Sequence, residues 1–257
     1  MKKLRQIIES KSDMIDTSDW ERVGPQMGSN PGGVFKDHTG KQWYLKKSKS
    51  DDHARNEFLA NKLYNHMGVP TPDHQMVTHS NGKLGTASPM MKITTYNPNS
   101  ESDKTQIRKH FAAHAFLANW DAVGNGEDNQ AHSPKGMMTV DAGGALNYRA
   151  QGGPKGEAFG DKVGEWDSLR NPSNRSAHKV FGDMSPRELV DSARAVANFK
   201  NSDIHRLVHA HGPGTVSDKD ALVAKLVNRK RDIVGRAATI AYKHNLGEIK
   251  DIDAKDT

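Results

Sequence analysis

The sequence contains no cysteine, which excludes disulfides and thiolate metal sites, so any metal must sit on carboxylate, amide or imidazole groups. It also lacks any run near the roughly 18 apolar residues that a membrane helix needs, and residues 1–14 hold no apolar core long enough for a secretory signal. A soluble, cytoplasmic protein without a membrane span is the resulting expectation. Aromatics are scarce at 6% and the Lys and Arg residues are scattered, whereas a nucleic-acid binder clusters its cations and intersperses stacking rings. A nucleic-acid partner is therefore disfavoured, although a net charge of +6 still suits anionic partners such as nucleotide phosphates or acidic protein surfaces. Two phosphate-binding signatures are missing as well: neither the Gly-Lys-Ser/Thr ending of a P-loop nor GxGxxG spacing occurs.

What is present fits one catalytic unit of two lobes around a cleft, within the 257 residues. Gly24 to Gly33 is turn-rich, Val34 and Phe35 begin a strand, and Asp37-His-Thr-Gly40 turns into a second strand, Gln42-Trp-Tyr-Leu-Lys46. From Asp51 the period becomes helical, with Ala54, Phe58, Leu59, Leu63 and Met67 on one stripe and Gly68 as the stop. Two apolar runs, His74 to Val77 and Leu84 to Ile93, flank Ser80-Asn81-Gly82 and predict a hairpin. Residues 97–103 read as a polar linker before a helix over Lys104–Trp120. A capping box at Ser185 to Glu188 starts a helix through about His211, and Ser217 to Asp220 starts another reaching Asn245. Residues 147–183 and the tail after Lys250 carry no clear pattern. The expected class is α+β: a β-rich first lobe with one helix over residues 1–96 and a helical second lobe over 97–257.

The densest cluster of chemical groups is Asn119-Trp-Asp-Ala-Val-Gly-Asn-Gly-Glu-Asp-Asn129, followed by Met137-Met-Thr-Val-Asp141-Ala-Gly-Gly144. An acid, an amide and a second acid around one loop are what phosphoryl transfer needs: a carboxylate beside the incoming hydroxyl, and a carboxamide with a carboxylate to hold magnesium. Taken singly, Asp121, Asp128, Asn129 and Asp141 each read more readily as a turn residue than as a ligand, and it is their joint order with the upstream features that favours function. Upstream, Lys46 at the end of a strand could reach phosphates, with Glu57 on the next helix to hold it, although both could also be solvated surface charges. Strand alternation puts Lys46 on the face of Tyr44 and favours it over Lys47. The loop Gly24 to Gly33 could lay backbone N–H groups over phosphates, which as a bare glycine-rich loop is a weak signal.

The order Gln42 to Lys46, then Ala54-Arg-Asn-Glu57 to Tyr64 with Gly68-Val-Pro70, then Asn119-Trp-Asp121 to Asp128-Asn129, then Asp141-Ala-Gly-Gly144 resembles atypical kinases of the HipA-like and phosphatidylinositol-kinase-like type. It also resembles kinase-like domains of bacteriophage and bacterial effector proteins, and covers about residues 20–150. The resemblance implies a bilobal protein-kinase-like fold that uses ATP and Mg2+ to phosphorylate a protein Ser, Thr or Tyr, in a bacterial cytoplasm or in a host cytosol if delivered as an effector. It implies that Lys46 pairs with Glu57, that Asp121 is the catalytic aspartate and that Asn129 and Asp141 bind the metal. Gly28, Ser29, Gly32, Gly33, Lys46, Met90 and Met91 are the expected nucleotide contacts. Eight positions separate Asp121 from Asn129, against about five in related kinases, so either the loop is longer or Asp128 takes the catalytic role.

Three rivals stand beside this reading. The 13 histidines raise a metal enzyme, but His110 and His114 lack a following Glu and a third ligand, and His205, His209 and His211 read as a helix-end surface cluster. A binding module or pseudokinase is the second, with Arg206, Lys225, Arg229, Lys230, Arg231 and Arg236 as a docking face or as ordinary solvated charge. Nucleotidyl transfer to protein is the third, because the same ligands would serve.

Overall fold

The computed structural model describes residues 14–27 and 30–254. A six-stranded sheet forms from β1 (Ile15–Asp16), β2 (Glu21–Gly24), β3 (Gly32–Lys36), β4 (Gln42–Lys47), β5 (Gln75–Thr78) and β6 (Leu84–Pro89), in the order β1-β5-β6-β4-β3-β2. All its pairings are antiparallel except that of β1 with β5. Helix α1 (Asp51–His66) crosses from β4 to β5. Ser50 caps it through the His53 N–H, and Asp51 and Asp52 sit favourably against the positive end of its dipole. The predicted turn at Ser80 to Gly82 closes β5 onto β6, with Gly82 at φ +75°. Short strands β7 (Thr94–Thr95), β8 (Gln130–Ser133) and β9 (Gly136–Thr139) form a second, three-stranded sheet.

The rest is helical, and its boundaries correct the sequence reading in three places. The helix expected over Lys104–Trp120 is two, α2 (Glu101–Arg108), capped by Ser100, and α3 (Phe111–Phe116). The chain tightens between them, where the His110 N–H bonds to the Ile107 carbonyl in place of the regular i−4 partner. After α4 (Glu165–Ser168) and α5 (Arg175–Phe181), the helix expected from Ser185 to His211 is again two, α6 (Pro186–Ala197) with its capping box and α7 (Asn201–His211). The apolar stripe runs on through the break, so periodicity alone does not reveal it. Helix α8 (Val216–His244) is capped by Thr215, two residues before the expected Ser217, because Thr215 and Asp218 form the capping box, and it ends on Asn245 in the left-handed region.

One large apolar core joins α1 (Leu59, Leu63) to α3, α5, α6, α7 and α8, through side chains such as Phe111, Phe116, Phe181 and Leu226. Smaller clusters lie on the sheet: Trp20, Trp43, Leu45, Val77 and Ala87, and Ala54, Phe58, Met76 and Leu84. Helix α1 contributes to two of the three cores, so it ties the β-rich part to the helical part. Arg229 of α8 is fully buried. It donates to the Ala115, Phe116, Gly160 and Lys162 carbonyls and pairs with Glu165 at 2.8 Å. A cation thus caps the buried C-terminal carbonyls of α3, where the dipole favours it. Lys230 is equally buried and held by Asp251 and Asp253. Neither residue belongs to a docking face, which corrects that part of the sequence reading.

Candidate active site

Alternation along β4 buries Trp43 and Leu45 on one face and turns Tyr44 and Lys46 to the other, toward a cleft of about 450 Å³ between the sheet and the helical part. Lys47 is exposed. Helix α1 delivers Glu57, whose Oε1 lies 2.8 Å from Lys46 Nζ, and the segment after β9 delivers Asp141, whose Oδ1 lies 3.0 Å from the same ammonium. Burial alone would lower the Lys46 pKa, but the two carboxylates outweigh it and raise it. Burial likewise opposes ionisation of Asp141, and is overcome by the Lys46 ammonium and by the Gly143 N–H, which donates to Oδ1 at 2.7 Å.

Asp121 and Asn129 reach the same cleft from a loop built on a strained turn. Helix α3 ends with Ala118 at φ +54°, while the Asn119 N–H returns to the His114 carbonyl at 2.9 Å. This is a Schellman-type stop, with alanine where glycine is usual. The eight-residue spacing is accommodated by a loop that folds back at Gly124, φ +83°, so that the Asn129 Nδ2 donates to the Asp121 carbonyl at 2.7 Å. Asp128 is exposed at the rim of the cleft, and Asp121 is half-buried within it. Burial, with repulsion from Asp141 and Asp128, pushes the Asp121 carboxyl up to about 6, against a smaller opposing effect of Asn129.

The donor set fits a hard divalent cation. With its Nδ2 spent on Asp121, Asn129 has its amide oxygen left to give, and Asp141 has Oδ2 beyond its Lys46 and Gly143 bonds. Four carboxylates, Glu57, Asp121, Asp128 and Asp141, line one cavity in which Lys46 is the sole lysine or arginine side chain among the lining residues, and Glu57 Oε2 is buried without a hydrogen-bond partner.

Met90 and Met91 line the cleft, where β6 leaves the sheet and the Met90 N–H bonds to the Gln42 carbonyl. Gly32 and Gly33 do not line it: they are strand residues of β3, paired with Lys46 and Leu45. A side chain on Gly32 would lie 2.4 Å from the Leu45 carbonyl oxygen, so glycine there permits close strand approach. Gly28 and Ser29 lie outside the described residues. From the same loop, Met27 and Asn30 face the cleft, and the Asn30 amide donates to the Ala150 carbonyl.

Two residues carried no sequence signal. His74 lines the cleft with Nδ1 2.9 Å from the Pro72 carbonyl oxygen; burial lowers its pKa, Glu57 opposes and Lys46 adds. Lys155, in the unpatterned stretch, donates to the Ala118 carbonyl at 2.6 Å and the Gly144 carbonyl at 2.7 Å. It thereby ties the turn before Asp121 to the turn after Asp141. Burial pushes the His110 and His114 imidazoles down to about 4 and about 3, and His114 Nδ1 faces the Tyr64 hydroxyl at 2.9 Å.

Among solved structures, the proinflammatory kinase CtkA of Helicobacter pylori superposes with a TM-score of 0.62 at 14% identity, covering 90% of this chain and 99% of that one. The fold is that of an atypical kinase. It is bilobal and α+β, with a curled β-rich lobe and a helical lobe. An aminoglycoside phosphotransferase of Alicyclobacillus acidocaldarius aligns at TM-score 0.35 and 9% identity over 90% of this chain and 95% of that one. HipA of Shewanella oneidensis aligns at TM-score 0.36 and 11% identity over 88% and 68%. No protein-family model matches the sequence, and no curated protein matches it.

Proposed function

We propose that the chain is an ATP- and magnesium-dependent phosphotransferase that phosphorylates a protein hydroxyl, with residues 1–96 as the nucleotide lobe and 97–257 as the catalytic lobe. The observation that carries this reading is the Lys46 ammonium bonded to both Glu57 and Asp141 in a cleft that also holds Asp121 and Asn129. Glu57 fixes Lys46, which meets the nucleotide's α and β phosphates. Met90 and Met91, which line the cleft, would flank the base, and Asn129 with Asp141 would hold magnesium, which when bound neutralises phosphate charge.

Asp121 accepts the proton of the acceptor hydroxyl as the new O–P bond forms and the bond from the γ phosphorus to the bridging oxygen breaks, leaving ADP. Burial and the neighbouring carboxylates push this carboxyl up to about 6 in the metal-free protein, which favours it as a proton acceptor while leaving it ionised at neutral pH. Asp128, exposed at the rim, shapes the loop. Thermal unfolding with millimolar ATP and Mg2+ tests the binding half of the proposal. The melting temperature should rise by ligand linkage in the native chain and stay unchanged in Lys46→Ala. No rise in the native chain contradicts it.

A further inference from the structure

Helices α7 and α8 place three metal-ligating side chains together at a point no cleft residue shares. His205 and His209, one turn apart on α7, stack their rings with centroids 4.2 Å apart and planes 19° apart. Asp220, in the second turn of α8, brings Oδ1 to 2.9 Å from His209 Nε2. One ligand atom from each of the three lies within 4.8 Å of the others. His211, which the sequence groups with them, instead turns edge-on to Phe58.

We propose that His205, His209 and Asp220 form a binding site for a divalent transition cation of the zinc class, distinct from the magnesium ligands of the cleft. Two imidazoles and one carboxylate are a common zinc donor set, leaving the fourth position to water. Ligands around zinc stand roughly 3.3 Å apart, given bonds of about 2.0 Å, so small side-chain rotations close the cluster. The competing cations are engaged elsewhere: Arg206 bonds to Asp203 at 2.9 Å, and Lys219 Nζ to the His209 carbonyl at 3.0 Å. Magnesium prefers an all-oxygen shell and is excluded by the imidazoles.

The site lies beside a connection that matters to the cleft. Between α7 and α8, the Gly214 N–H donates to Asp52 Oδ1 at 3.1 Å, in the first turn of α1, the helix that carries Glu57. A cation bridging α7 to α8 would brace that connection and stabilise the folded chain without touching nucleotide.

Calorimetric titration of zinc chloride into the chelator-stripped full chain, in millimolar magnesium, tests the site. One zinc should bind per chain. His205→Ala and His209→Ala should each weaken binding by more than the roughly 10- to 100-fold that loss of an outer-shell partner costs. Asp141→Asn should bind zinc as the native chain does. In the unmutated chain, zinc should shift the His205 and His209 ring resonances before those of the other 11 histidines, counted from 13. Absence of zinc binding, equal affinity in folded His205→Ala and His209→Ala, or earlier shifts at other histidines overturns the proposal.

Discussion

Lys46 and Asp141 stand 95 positions apart in the chain, and their Nζ and Oδ1 atoms lie 3.0 Å apart. That contact joins the sheet to the loop after β9, with Glu57 closing the triangle from α1. Lys46→Ala should therefore reduce phosphoryl transfer by orders of magnitude. Lys47→Ala, on the exposed face of the same strand, should leave it within about twofold. Steady-state rates on the two variants check this, and equal losses would refute the role of Lys46.

Asp121 should titrate near 6 in the metal-free protein, well above the usual carboxylate value of about 3.9. Its pKa is raised by burial first, then by the charges of Asp141 and Asp128, so two perturbations have a definite sign. Magnesium at Asn129 and Asp141 should lower it, and Asp128→Asn should lower it by removing a like charge. Carboxyl NMR of the native chain, with and without magnesium, and of Asp128→Asn provides the values. Transfer should be abolished in Asp121→Asn with nucleotide affinity nearly kept, and Asp128→Asn should lose far less.

Lys155 is held down to about 7 by burial, with Arg229 and Arg149 adding and Glu165 opposing. In the unfolded chain a lysine titrates near 10.4. Between those values the unfolded state binds the extra proton, so this group makes stability rise as pH climbs from about 7 toward 10. Urea denaturation at pH 7 and pH 9.5 should show that slope in the native chain and a smaller one in Lys155→Met. The same variant leaves the Ala118 and Gly144 carbonyls without this donor and should lower kcat, while Lys155→Arg recovers part of it.

Arg229→Met should cost roughly 3–5 kcal/mol of stability, as expected when one member of a buried ion pair is removed. Four carbonyls and Glu165 lose their donor at once. Arg231→Met, at an exposed position two residues on, should change stability by less than about 0.5 kcal/mol. Denaturant midpoints of the two variants separate the cases.

Strands β3 to β6, α1 and the residues that meet in the cleft were legible because they follow local rules, whereas β1 and β2 carried no such pattern. Period-2 alternation in β4 singles out Lys46, the stripe of α1 places Glu57, and the Asp121 to Asp141 segment is dense in metal-type ligands. Breaks at residues 109–110 and 198–200 were not legible, because apolar spacing continues through them and tertiary packing decides where helices stop. Arg229, Lys155 and His74 act through contacts with residues far away in sequence, which no spacing encodes. The glycines of β3 illustrate the opposite failure: a glycine-rich run reads as a phosphate loop, while Gly32 and Gly33 serve strand pairing beside Lys46.

The central claim is transfer of the γ-phosphoryl group, and intact-mass spectrometry tests it most directly. Native chain and Asp141→Ala are each incubated with ATP, Mg2+ and a generic phosphoacceptor protein. Phosphoryl transfer predicts a one-phosphate mass increment on the chain or on the acceptor with the native protein, and none with Asp141→Ala. An adenylyl increment, or no increment on either protein with the native chain, would contradict it.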